Sequence, residues 1–253
     1  MRRLRIPAAV ALAGTLALAI ALPVTATTAP MGRLRAFHDS PDTPAVDIYV
    51  NGLRALENVS YKTVSPYLPL PAFRTYQVGV KLWDADADDA SDAWALGPRG
   101  VYLGTRPTTV AAIGSLAYRK DADTSNDARA LRLRVYRDSR GIVGNWAQVR
   151  VSHTSPDAPL VDVQVKLGGR WVTVVRDLAF GHASPYLSLR QRTWWGPILY
   201  SFRLKVHGTS TVIARFSRTL YKSQTFWAIG FVRPADFSST NGLQIFRTRD
   251  GRN

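Results

Sequence analysis

A stretch of eighteen residues, Arg35 to Gly52 (RAFHDSPDTPAVDIYVNG), returns in altered form from Arg150 to Gly168 (RVSHTSPDAPLVDVQVKLG). His38 answers to His153, Asp42 to Asp157, Pro44 to Pro159 and Asp47 to Asp162, each pair 115 positions apart. Internal repetition shows how often a chain solves one packing problem, and here it is solved twice. Other matches follow in the same order. Ser65-Pro66-Tyr67-Leu68 returns as Ser184-Pro185-Tyr186-Leu187, and Ala112-Ile113-Gly114 as Ala228-Ile229-Gly230. Leu133, Val135, Tyr136 and Arg137 are matched to Leu243, Ile245, Phe246 and Arg247. The offset drifts from 115 to 119, 116 and then 110, which places insertions and deletions in loops between the matches.

Ahead of the repeats stand a basic start (Met1-Arg2-Arg3-Leu4-Arg5), an apolar run from Ala8 to Leu22 and small residues through Ala29. These are the parts of a secretory signal peptide, with Val24/Ala26 or Thr27/Ala29 before the cut. The alternative is an uncleaved anchor, for which the run is short of the ~20 residues that a span needs. The expected organisation is a signal peptide over 1–29, a first domain over 30–141 and a second over 142–253. No second long apolar run follows, which excludes a polytopic membrane protein. Cysteine is absent, so apolar burial alone must hold both cores.

The repeats read as strands. Leu34, Ala36 and His38 share one face of a period-two segment, as do Val149, Val151 and His153. Val46, Ile48 and Val50 alternate with Asp47, Tyr49 and Asn51 before the Asn51-Gly52 hairpin signal; Val161, Val163 and Val165 repeat the pattern. Further strands are expected around Tyr76–Leu82, Val101–Leu103, Thr109–Leu116, Leu131–Tyr136, Phe202–Val206, Val212–Phe216, Thr225–Phe231 and Leu243–Phe246. No window has a helical period between capping signals. The fold class expected is all-β: two tandem immunoglobulin-like antiparallel β-sandwiches that touch across a short linker at Asp138-Ser139-Arg140-Gly141.

Each chemistry-bearing group has a structural reading beside a functional one. His38, Ser40 and Asp42, echoed by His153, Ser155 and Asp157, permit a serine-type hydrolase on paper. But each serine directly precedes a proline, Pro41 or Pro156, with no glycines to form a nucleophile elbow. The histidines are therefore expected to be hydrogen-bonded at strand ends, and Asp42 and Asp157 to accept N–H bonds inside the Pro-rich turns. Asp47 and Asp162 are expected to be solvated or paired with a neighbouring strand. Asp84, Asp86 and Asp88 have the spacing of a calcium loop but no glycine at its sixth position and no glutamate at its twelfth. Asp121, Asp123, Asn126 and Asp127 form a second acidic cluster without a closing glutamate. Gly79 interrupts a strand where Lys205 stands in the second copy, indicating a bulge or close approach. Arg190, Arg192, Trp194 and Trp195 set adjacent tryptophans beside positive charge. Neighbouring strand residues face opposite sides, so at least one ring is expected to escape the core unless the segment is a loop. One ring is expected to cover the sandwich edge and the other to pack on the first domain; a contact for sugar rings or interfacial lipid is the alternative.

The pattern His-x-Ser-Pro-Asp-x-Pro-x-Val-Asp, followed by Ser-Pro-Tyr-Leu and Ala-Ile-Gly, resembles a bacterial secreted family catalogued as domain of unknown function 4397. Both copies, with Val46 and Val161 completing the signature, cover nearly all of the expected exported chain. The resemblance implies export, duplication and β-sandwiches. It implies no catalytic residues and no cofactor.

Formal charge is +15, or +12 without Arg2, Arg3 and Arg5. Such a surplus favours anionic partners. With the basic residues spread through both halves and no nucleic-acid motif, nucleic acid is a poor fit. The expected function is a non-catalytic extracellular or envelope-associated module for an anionic wall polymer, glycan or envelope protein, with peripheral membrane contact allowed, and without metal or cofactor. The alternatives are a calcium-stabilised adhesin and a serine-type hydrolase.

Overall fold

The computed structural model describes residues 29–83, 93–118, 127–139, 141, 144–232 and 242–251. The expected signal peptide, the Asp84–Asp92 run and most of the Asp121–Asp127 cluster lie outside them. The first half contains β1 (Met31–Asp39), β2 (Val46–Val50), β3 (Leu53–Val59), β4 (Leu68–Pro71), β5 (Arg74–Leu82), β6 (Trp94–Leu103), β7 (Thr108–Ile113) and β8 (Arg132–Arg137). One sheet has the order β4-β1-β7-β8 and the other β3-β2-β5-β6. Leu34, Val46, Val78, Val80, Leu103 and Val110 lie buried in the core they share.

The second half begins with β9 (Trp146–His153), β10 (Val161–Leu167), β11 (Arg170–Leu178), β12 (His182–Ala183) and β13 (Leu187–Arg190). A short ribbon of β14 (Arg192–Thr193) and β15 (Gly196–Pro197) precedes β16 (Leu199–Val206), β17 (Val212–Thr219), β18 (Ser223–Ile229) and β19 (Gln244–Asp250). Strands β12 and β13 flank β9 in a sheet continued by β18 and β19, and the facing sheet runs β11-β10-β16-β17. Val149, Val151, Val163, Phe202, Leu204 and Phe226 fill the core between them.

The sandwiches are not purely antiparallel as expected: β1 runs parallel to β7, and β9 to β18. Both parallel pairs include a strand buried on both faces, the setting in which parallel strands are found. Strand β7 is buried throughout, as is β18. On β7, Val110 and Ala112 face the first core, whereas Ala111 and Ile113 face away from it. The outward set joins Phe37 and Tyr136 against Trp227 and Ile229 of the second half in a third core, between the halves. Trp227 meets Phe37 and Tyr136 edge-on at 5.0 and 4.9 Å. Among the described residues the four larger sheets are thus stacked with three apolar seams.

Beside the third seam lies a buried polar lattice that exchanges partners between the halves. The Arg35 guanidinium on β1 donates to Asp250 Oδ1 at 2.6 Å and to Thr109 Oγ1 at 2.8 Å. Arg150 on β9 donates to Asp138 Oδ1 at 2.6 Å and to Thr225 Oγ1 at 3.0 Å. Tyr67 and Tyr186 donate their hydroxyls to the second oxygens of Asp138 and Asp250, at 2.6 and 2.9 Å. Each tyrosine ring lies under an arginine, at 4.5 Å for Arg35 and 4.7 Å for Arg150. Asp138, expected as the first linker residue, is fully buried.

Register corrects two of the expected matches. Thr109 pairs with Tyr136 and Thr225 with Thr248, so Tyr136 corresponds to Thr248 and Asp138 to Asp250, an offset of 112 rather than 110. Tyr49 pairs with Gly79 and Gln164 with Arg203, so Arg203, not Lys205, stands where Gly79 does. Both slips are of two residues, the one displacement that leaves an alternating in/out pattern intact. At Gly79 the close approach is real: a Cβ there would lie 2.5 Å from the Trp94 ring.

Arg35→Ala strips Asp250 of its buried cation, and a loss of about 3–5 kcal/mol is expected in urea unfolding. Asp39 is fully buried between the halves, and burial, only partly offset by the Thr154 side chain beside it, raises its pKa well above the ordinary carboxylate value. The folded chain therefore holds a proton that the unfolded chain releases, and stability declines as pH rises above about 4. Asp39→Thr, which installs the residue found at Thr154 in the second half, is expected to add about 1–3 kcal/mol at pH 7. Thermal melts should show that gain shrinking toward pH 4.

Candidate functional site

The repeated signature folds into a closed knot at the end of each sandwich. His38 and His153 are buried, and Nε2 of each contacts a carbonyl oxygen, Pro44 O at 2.9 Å and Pro159 O at 3.0 Å. An oxygen can only accept, so each Nε2 carries the proton. Ser40 Oγ donates to Gly114 O at 2.7 Å and contacts the Thr43 hydroxyl at 2.6 Å; Ser155 Oγ donates to Gly230 O at 2.5 Å. Both serines are fully buried, and the contact from Ser40 to its histidine is made by the backbone N–H, not by Oγ. Gly114 sits at φ +96°, and a Cβ there would strike Ala130 O, so the carbonyl that receives Ser40 depends on glycine.

Asp42 accepts from outside its own turn. Its oxygens take N–H bonds from Leu116 at 2.9 Å and Ala117 at 3.0 Å, with the Ser115 hydroxyl at 2.5 Å. Asp157 likewise takes Val232 N–H at 2.7 Å. The loop after β7 or β18 is thus fixed to the knot by one carboxylate, which also lies 3.4 Å from the hydroxyl of Ser40 or Ser155 inside its own turn. Pro41, Pro44, Pro156 and Pro159 hold the chain in shape for this, leaving the knots with fewer backbone donors to satisfy.

Asp47 and Asp162 are buried rather than solvated, and each takes a backbone N–H from the adjacent edge strand. Asp47 accepts Asn58 N–H at 2.8 Å, and Asp162 accepts Asp177 N–H at 3.0 Å together with the His207 ring at 2.8 Å. Asn58 and Asp177 have φ of +50° and +46°, and pairing with the neighbouring strand shifts register at Asp47 and at Asp162. The repeated aspartate is a cap for a β-bulge.

Among the described residues no group of three or more His, Asp or Glu converges as a metal site. Asp127, from the second acidic cluster, forks onto the Arg129 guanidinium at 3.0 and 2.8 Å, and that arginine holds its pKa down at about 2.

The Trp-Trp segment departs most from expectation. Neither ring covers an edge or packs on the first half: Trp194 and Trp195 are 91% and 92% exposed, at the tip of the β14–β15 ribbon. They form a two-residue hairpin loop, not a strand, so the opposite-faces rule does not apply. The first half joins β4 to β5 through Ala72 and Phe73 alone, whereas here the chain extends outward. Its base is tied down: Asn145 Nδ2 donates to Arg192 O at 2.8 Å, and Gln191 N–H donates to Asn145 O at 2.9 Å. Arg190 lies 5.6 Å from the Trp146 ring centre. Asn145, Arg190, Arg192, Thr193 and Trp194 line a shallow cleft of about 470 Å³.

Charge is also less evenly spread than the basic residues alone indicate. Residues 30–141 and 142–253 each hold fifteen Lys and Arg, but thirteen Asp and Glu offset them in the first and only five in the second. The ribbon projects from the half with nearly all the net positive charge.

Burial lowers the pKa of both knot histidines below the ordinary imidazole value. The unfolded chain then gains protons that the folded chain refuses, so stability is complete above about pH 6.5 and lost as pH falls below it. Replacing both histidines with glutamine is expected to flatten this slope in melting temperatures measured from pH 7.5 to 5.

No curated protein matches the chain. The sequence profile described as Domain of unknown function (DUF4397) matches residues 32–164, from β1 through the first knot and the interdomain crossing to the second knot and into β10. The match takes in more than half of the 253 residues, and with it the knot, the bulge cap and the crossing aspartate, so the chain belongs to the DUF4397 family.

Proposed function

We propose that this chain is a non-catalytic, exported binding module that docks on an anionic polymer of the cell envelope through its second half. The observation that carries the reading is the pair of fully exposed tryptophans on a ribbon anchored at its base, with Arg190 and Arg192 beside them. Large exposed aromatics cost solubility unless they serve a contact, and ring faces beside guanidinium groups suit sugar rings bearing phosphate or carboxylate. The excess of ten positive charges in the same half draws such a polymer in over distance. The buried state of the Ser40 and Ser155 hydroxyls supports a non-catalytic role. We read the second half as a further copy of the family domain and each sandwich as immunoglobulin-like, on the equivalent knots, bulge caps and sheet orders.

The test is retention of the chain from residue 30 onward on isolated cell walls. Strong retention at low salt and its loss at high salt are expected, since exposed charge is screened. Trp194→Ala with Trp195→Ala should lower retention at least tenfold while leaving the melting temperature unchanged. Retention that ignores both salt and the tryptophans would overturn the reading, as would binding to anionic lipid vesicles but not to walls.

A further inference from the structure

A cavity of about 230 Å³ opens at the edge of the first sandwich, between β3 and the Ser65–Leu68 segment. Leu34, Ala36, Ile48, Val50, Leu56 and Val110 form its inner wall, and the exposed side chains of Ala55, Pro66 and Leu68 frame its mouth. It lies on the opposite half from the Trp-Trp ribbon and is independent of the function proposed for that ribbon.

Comparison of the halves shows why there is space. Strand pairing equates Ala36 with Val151, Ala55 with Val174 and Val110 with Phe226. At these three lining positions the first half has the smaller side chain. In the second half Phe226 instead packs 5.0 Å from Phe216 and 5.7 Å from Phe202. Leu34, Ile48 and Leu56 return only one carbon each against Val149, Val163 and Val175, so the first half has less carbon to fill the same layer.

The wall offers nothing polar to a ligand. Ser65 Oγ accepts Ala36 N–H at 2.9 Å and donates to Pro66 O at 2.8 Å. Tyr67 is spent on Asp138, and Arg35 on Asp250 and Thr109. An occupant is therefore apolar within the sandwich and keeps any polar group at the mouth. Dry cavities of ~150 Å³ take up benzene, and at roughly 30 Å³ per heavy atom this one holds about eight carbons.

We propose that the first sandwich is a binding site for a short aliphatic chain, which enters between β3 and the Ser65–Leu68 segment and lies against Ala36 and Val110. Methyl-resolved NMR of the whole chain, titrated with octanoate and with uncharged octanol, tests this. Both probes should shift the methyl signals of Leu34, Ile48, Leu56 and Leu68 and leave those of the second core in place. Ala36→Val with Val110→Phe installs residues that the second half already accommodates, and should weaken both probes at least tenfold. Ala55→Trp, which closes the mouth from an exposed position, should do the same without altering the core. Absence of shifts at millimolar probe would overturn the proposal. So would shifts with octanoate alone, which would report attraction to the basic surface, or undiminished shifts in both variants.

Discussion

The reciprocal exchange of Arg35 to Asp250 and Arg150 to Asp138 governs this molecule, because it decides what the rest of each half must do. Two cations and two anions have been taken out of water, a cost of several kcal/mol per ion. The geometry offsets it: each guanidinium has a carboxylate at 2.6 Å and a threonine hydroxyl, while each carboxylate has a tyrosine hydroxyl for its second oxygen. A lattice of this kind is stable only when whole, since every missing partner strands a charge in low dielectric. The apolar seam of Phe37, Tyr136, Trp227 and Ile229 alongside keeps water out. One charged contact thus obliges the strands next to it to be apolar on both faces.

From that obligation come the parallel pairs. A strand that faces its own core on one side and the other half on the other loses the polar alternation of a surface strand. Strands β7 and β18 are wholly buried, and both run parallel to the first strand of their half. Small residues such as Ala111 and Ala112 on β7 let the layers approach. The signature knots then close the open ends of these central strands, with Ser40 on Gly114 and Ser155 on Gly230. The repeated letters are those that terminate a doubly buried strand without leaving polar groups bare.

Much of this was legible in the sequence, and the rest was hidden for identifiable reasons. The repeated signature, the all-strand character and the alternating valines were visible because they are local and periodic. Parallel pairing of β1 with β7 was not, since it depends on what covers the outer face. Edge strands β3 and β11 escaped notice because exposed Leu53, Arg54 and Glu57 give β3 no apolar alternation. Matching by residue type sets the last strand two residues out of register, which hides the correspondence of Asp138 with Asp250. With that correction Arg35/Arg150, Tyr67/Tyr186 and Asp138/Asp250 become three repeated pairs, the signal that would have found the seam. For Trp194 and Trp195 the sequence leaves strand and loop both open, and the hairpin geometry places both rings outside.

Arg35 sits on the first strand, and its anion is 215 positions later, near the end of the chain. Whatever emerges early during synthesis therefore contains a guanidinium whose partner does not yet exist. Contacts so distant along the chain are slow to close. The first half is completed only when β19 arrives, so the tail acts as the keystone of the head, and a chain cut short before it exposes the very layer that ought to be sealed.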